Sequence, residues 1–186
     1  MPDNPREAVV QRLCSPPISA VVQHVSKDGV VKGWARDGMP QPADPKTIVF
    51  RKERAGTTRR IFAVSYSDSA FGHPHFDIVG VNQQEDGSWS AGGGAGGSGG
   101  GPVRDKPWVN FAGWWGVDLF CAGGQVIGTG ADQAQRVELS FVDGTTVGDT
   151  VDDGVVLFLI EHSVELPATA ITLDVNGVQL STQEFP

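Results

Sequence analysis

The sequence predicts a mainly β protein, sandwich-like in its C-terminal half and opened by a short helix. Twenty-five glycines and 12 prolines in 186 residues favour a turn-rich chain. From residue 47 onward, short apolar or alternating runs lie between Asp-Gly and Asn-Gly dipeptides, the grammar of consecutive strands. The single clear helix-start signature is Asn4-Pro-Arg-Glu7. There Asn4 can cap, Pro5 suits the first helical position and Glu7 can reach back.

Val9, Val10 and Leu13 share a face of that helix, and Pro16-Pro17 ends it. Ile18, Val21, Val22 and Val25 fit helical spacing, but their β-branched character also suits a strand. Thr47–Arg54 and Thr57–Ser67 read as two strands around Ala55-Gly56, and Phe76–Asn82 as a third. Asp86-Gly87 turns the chain toward Ser88-Trp89-Ser90.

Eight of the eleven residues from Ala91 to Gly101 are glycine. Glycine loses the most backbone entropy on ordering and has no side chain to bury. The tract therefore reads as a flexible linker, or as a loop kept because something approaches its backbone closely. Strand signals resume at Val137–Val142, Thr145–Val151, Val155–Ile160, Ile171–Val175 and Val178–Thr182. Pro167 marks an edge or a bend, and Asn176-Gly177 is the strongest hairpin dipeptide.

Four regions follow: an N-terminal helix with a mixed segment (1–45), a small β region (46–90), the glycine-rich linker or loop (91–107), and an aromatic segment with a sandwich-like region (108–186). Residues 46–186 can form one domain. Arg136-Val-Glu-Leu-Ser-Phe-Val-Asp-Gly and Asp174-Val-Asn-Gly give residues 125–186 a pattern that resembles bacterial immunoglobulin-like β-sandwich modules. The resemblance implies a fold, and such modules serve adhesion, scaffolding and enzyme decoration alike.

Composition narrows the function classes. Residues 1–90 carry 11 basic and 10 acidic side chains, residues 91–186 only 3 against 12. An acidic half repels phosphate backbones, so no nucleic-acid partner is expected. The longest nearly apolar run, Val155–Ile160, is too short to span a bilayer, and no signal peptide is visible, so no membrane partner and a cytoplasmic location are expected. Cys14 and Cys121, far apart in such a chain, are expected to be reduced.

Several motifs dissolve on inspection. Gly92-x-Gly94-x-x-Gly97 lacks the helix that would receive a pyrophosphate. Gly96-x-Ser98-x-Gly100 lacks the strand and helix of a nucleophile elbow. Asp149, Asp152 and Asp153 lack the spacing and closing Glu of a calcium loop. His73, His75 and Asp77 alternate, so in a strand they share a face and form the candidate metal set, for zinc or iron. Arg51, Lys52, Arg54, Arg59 and Arg60 read first as a charged solvent face, and second as a surface that docks on the acidic C-terminal half.

Trp108, Phe111, Trp114, Trp115 and Phe120 put five large rings in thirteen residues. They read either as the roof of a core or as a contact surface for a partner. The sequence thus points to a non-catalytic binding or assembly module, with a protein partner or a homo-oligomer, using residues 108–120 and needing no cofactor. A metal-binding protein or metal-dependent enzyme centred on the His-Pro-His-Phe-Asp motif is the alternative. A carbohydrate-binding β-sandwich is the third reading.

Overall fold

The computed structural model describes residues 2–15, 24–25, 31–32, 42–70, 72–98, 104–116 and 118–185. Helix α1 is Pro5–Cys14. Asn4 caps it by accepting the Arg6 N–H at 2.9 Å, and Pro5 opens it. The ambiguous run at 18–23 lies outside the described residues. Beyond it, β1 (His24–Val25) and β2 (Val31–Lys32) pair as a two-residue ladder.

Strands β3 (Val49–Ala55), β4 (Arg59–Ser67), β5 (Pro74–Gln83) and β6 (Trp89–Ser98) form an antiparallel meander in sequence order, the first sheet. Strands β7 (Trp108–Gly116), β8 (Leu119–Ile127) and β11 (Val155–Ile160) make a second sheet in the order β11-β8-β7. The third is β10-β9-β12-β13, from β9 (Arg136–Phe141), β10 (Thr146–Thr150), β12 (Ala168–Leu173) and β13 (Gln179–Phe185). Gly144 and Gly177 turn the chain at φ 86° and 78°, as Asp-Gly and Asn-Gly require. Pro167 precedes β12 and follows a cis bond.

Three buried clusters stack these elements into four layers. Ala8, Val9 and Leu13 of α1 meet Phe62, Val64, Val79 and Val81 on one face of the first sheet. Its other face, through Ile61, Ala63 and Ile78, meets Cys121, Val155 and Leu157 of the second. The second sheet then turns Phe120, Ala122, Val156 and Phe158 toward Leu139, Ala170 and Phe185 of the third. Both the first and second sheets are covered on two faces. That is why Ile61–Val64 and Val155–Ile160 are continuous apolar runs rather than alternating ones. At Gly123 a Cβ would stand 2.8 Å from Ile78 Cδ1, so that glycine lets the first sheet close on the second.

The glycine tract departs most from expectation. Residues 91–98 are neither linker nor loop but most of strand β6, paired with β5 from His75↔Ser98 to Gln83↔Trp89. The register shifts between Val79 and Val81. Polar side chains fill much of the space that the missing Cβ atoms leave, and at Gly96 the β5 backbone crowds it as well. A Cβ on Gly92 would lie 3.0 Å from Asn82 Nδ2, on Gly94 3.2 Å from Arg12 Nη2, and on Gly96 inside the Asp77 carboxylate. Each glycine lets a neighbouring polar chain lie flat across the strand. Residues 99–103 lie outside the described residues.

Candidate functional site

The molecule has two contrasting sides, because β3 runs beside β11 and β6 runs beside β7. On the first, basic chains of the hairpin reach the acidic C-terminal half. Lys52 Nζ lies 2.7 Å from Asp149 Oδ2 and 2.8 Å from Asp152 Oδ2, and donates to the Thr150 carbonyl. Arg54 Nη1 donates to Asp149 Oδ1 at 3.0 Å and to the Leu157 carbonyl at 3.1 Å. Asp149 also accepts the Leu157 N–H at 2.7 Å. The side chains of Lys52 and Asp149 are 11% and 10% exposed, so this is a buried ion pair. Arg51 pairs with Asp153, and Glu161 accepts both the N–H and the hydroxyl of Thr57. These bonds hold the carboxyls of Asp152 and Glu161 below their ordinary range; the Lys52 hydrogen bond is the main cause at Asp152, and the Thr57 N–H at Glu161.

The solvent-face expectation for Arg51, Lys52 and Arg54 is therefore overturned. They dock on Asp149, Asp152 and Asp153, so on this side the first sheet is tied by charge to the second and third.

On the opposite side, β6 is the last strand of the first sheet and β7 the last of the second. The β7 edge is closed at one point. The Gln183 side chain accepts the Val109 N–H at 2.8 Å and donates to the Val109 carbonyl at 2.9 Å, from within the buried layer. On β6, Trp89 donates its N–H to the Pro2 carbonyl and the Gly92 carbonyl accepts from Arg12 Nη1 at 2.7 Å. From Ser90 to Ser98 the strand carries no charged residue and no proline.

The aromatic segment divides between core and surface. Phe120 is fully buried, edge-on to Phe141 and Phe185, and is not available to a partner. Phe111 is half-buried and packs edge-on against Phe185 with ring centres 4.9 Å apart. Trp108 is half-buried, with the Arg104 guanidinium 4.2 Å from its ring centre. The side chains of Trp114 and Trp115 lie outside the described residues; their backbones belong to β7.

The candidate metal set does not converge. His75 and Asp77 do share a face of β5, but Asp77 Oδ2 accepts the Tyr66 hydroxyl at 2.9 Å. His75 Nε2 and His73 Nδ1 turn instead to Asp68 Oδ2, at 3.4 and 3.6 Å. Asp68 is buried and also accepts the N–H groups of Ala70 and His73. It gathers the β4–β5 connection onto itself, and the His75 ring stacks on Tyr66 at 5.1 Å. Among the described residues no three His, Cys, Asp or Glu side chains are placed to hold a metal ion. Burial, and then the charge of Asp77, push the Tyr66 hydroxyl pKa upward, so it stays a donor.

Sequence reasoning passed over Arg12, Asp68, Tyr66 and Gln183. The signal for Arg12 was its place on the exposed face one turn beyond the buried Val9. Gln183 gave none, since its backbone partner Val109 is distant in sequence, whereas Asp68 carried the local signal of an Asx turn through Ala70 and His73.

No family model matches the chain, and no curated protein or solved structure is significantly similar to it. Among the described residues no helix is long and apolar enough to cross a membrane.

Proposed function

We propose that the protein is a binding or assembly module that joins a protein partner, or another copy of itself, along the side formed by β6 and β7. One observation carries this reading. Among the described residues β6 is a long, uncharged edge strand, ladder-bonded on its β5 side alone, while the opposite side of the first sheet is tied to the other sheets by ion pairs. Unpaired strand edges are templates for further pairing unless something blocks them. Trp108 borders this side, and Trp114 and Trp115 remain part of the proposed surface through their place on β7. The stacking of the second and third sheets supports an immunoglobulin-like sandwich for the C-terminal half. Two free thiols, the buried Cys121 pushed up to about 12 by its burial, support a reducing, cytoplasmic setting.

Hydrogen exchange on the full chain tests the surface. Peptides covering Trp89–Ser98 and Trp108–Gly116 should exchange more slowly as association proceeds. Association that protects only β3, β10 or β11 would refute the choice of surface.

A further inference from the structure

We infer that the chain pairs with a second copy of itself through the outer edge of β6, antiparallel and two-fold symmetric about Ala95. The inference deepens the assembly reading and rests on it. It starts from two charges. The Arg12 guanidinium lies over Gly94, and the Asp77 carboxylate lies over Gly96, both on the face of the first sheet that carries α1. Among the described residues neither has an ion-pair partner. Arg12 donates to the Gly92 carbonyl, and Asp77 accepts from the Tyr66 hydroxyl. A cation and an anion thus stand two residues apart along the outer edge of β6, and among the described residues neither is drawn into an ion pair.

A two-fold axis through Ala95, perpendicular to the sheet, keeps the α1 faces of both copies on one side. It sets Gly94 of each copy opposite Gly96 of the other. Neighbouring strands lie about 4.8 Å apart, within reach of long side chains. Arg12 of each copy therefore meets Asp77 of the other, and the contact occurs twice. The register is selective. A centre at Gly94 would set Arg12 against Arg12, and a centre at Gly96 would set Asp77 against Asp77, both disfavoured. Only the Ala95 centre turns both charges to use. The pairing is isologous, the commonest symmetry of soluble oligomers, and would join two four-stranded sheets into one of eight.

Sedimentation velocity of the full chain across concentration, at low salt, tests this together with two variants. The wild type should form a dimer that weakens as salt rises. Arg12→Glu, on an exposed helical position, should loosen it by about tenfold or more by setting carboxylate against carboxylate. In the second variant, Ala95→Cys combined with Cys14→Ser, directly opposed thiols should form an intermolecular disulfide under mild oxidation. Circular dichroism melts establish that each variant is folded. A monomer at every concentration, with no cross-link, overturns the inference. A dimer indifferent to Arg12→Glu that fails to cross-link also overturns it, while leaving assembly through another face standing. If Arg12→Glu fails to fold, the cross-link alone decides.

Discussion

The β3 side and the β6 side of the first sheet are edges of the same meander, yet they are finished by opposite means. At β3 three basic residues project toward the neighbouring layers and find Asp149, Asp152 and Asp153 waiting. At β6 the strand has almost no side chains, and charges borrowed from α1 and β5 lie across it with no ion-pair partner among the described residues. A strand edge can be retired by occupying it with the molecule's own charge, or it can be left bare. Here one chain does both, which separates a side that binds inward from a side available to bind outward.

The contrast predicts an ordered series of effects. Asp149→Asn should be the most damaging, because it strips the buried Lys52 of its closest counter-charge and disturbs the Leu157 N–H. Removing one partner of a buried pair typically costs about 3–5 kcal/mol, to be read from urea unfolding. A loss below about 1 kcal/mol would mean that this edge is not locked by charge. Gln183→Leu comes next. It leaves the Val109 N–H and carbonyl unpaired inside the structure, at a cost of about 2–3 kcal/mol in the same assay.

Glycine substitutions on β6 sharpen the comparison from the other side. Gly96→Ala would drive a methyl group into Asp77 and toward the Phe76 carbonyl, and should cost about 1–3 kcal/mol. Gly94→Ala meets the end of the flexible Arg12 chain at 3.2 Å and the Ile78 carbonyl at an ordinary contact distance of 3.4 Å. It should fall within about 0.5 kcal/mol of neutral, since alanine is the better strand residue. Equal effects at the two sites would show that polar side chains lying across the strand are not what the glycines serve.

The smallest effect concerns pH. Asp152 and Glu161 hold their protons less tightly in the folded chain than in the unfolded one. Their contribution is complete above the ordinary carboxylate range. It is lost as pH falls through about 5 to about 3, because the unfolded chain then takes up more protons. Melting temperatures should drop across that interval, and the drop should shrink in Asp152→Asn.

Much of the meander and the outer strands was legible because local chemistry and tertiary outcome agree there. Asn4-Pro5 capped a helix, and Asp143-Gly144 and Asn176-Gly177 turned the chain where left-handed glycines are required. The tract at 91–98 was not legible as a strand, since β propensity describes side chains and glycine has none. Its reason to exist sits in Arg12, Asn82 and Asp77, and two of those reach it only through strand pairing. Phe120 could be core or surface until its neighbours Phe141 and Phe185 were in place. The site residues suffered most, because Lys52 and Asp149 stand almost a hundred positions apart and nothing local couples them.

The corner between β10 and β11 has a consequence for how the layers depend on one another. Residues 151–154 carry the backbone from the third sheet into the second, with Asp153 and Gly154 at φ 50° and 71°. β11 is thereby delivered between two layers. Because Val155 and Leu157 belong to one buried cluster and Val156 and Phe158 to the other, this one short strand is shared by both interfaces of the second sheet, and a change in it is felt on two sides at once.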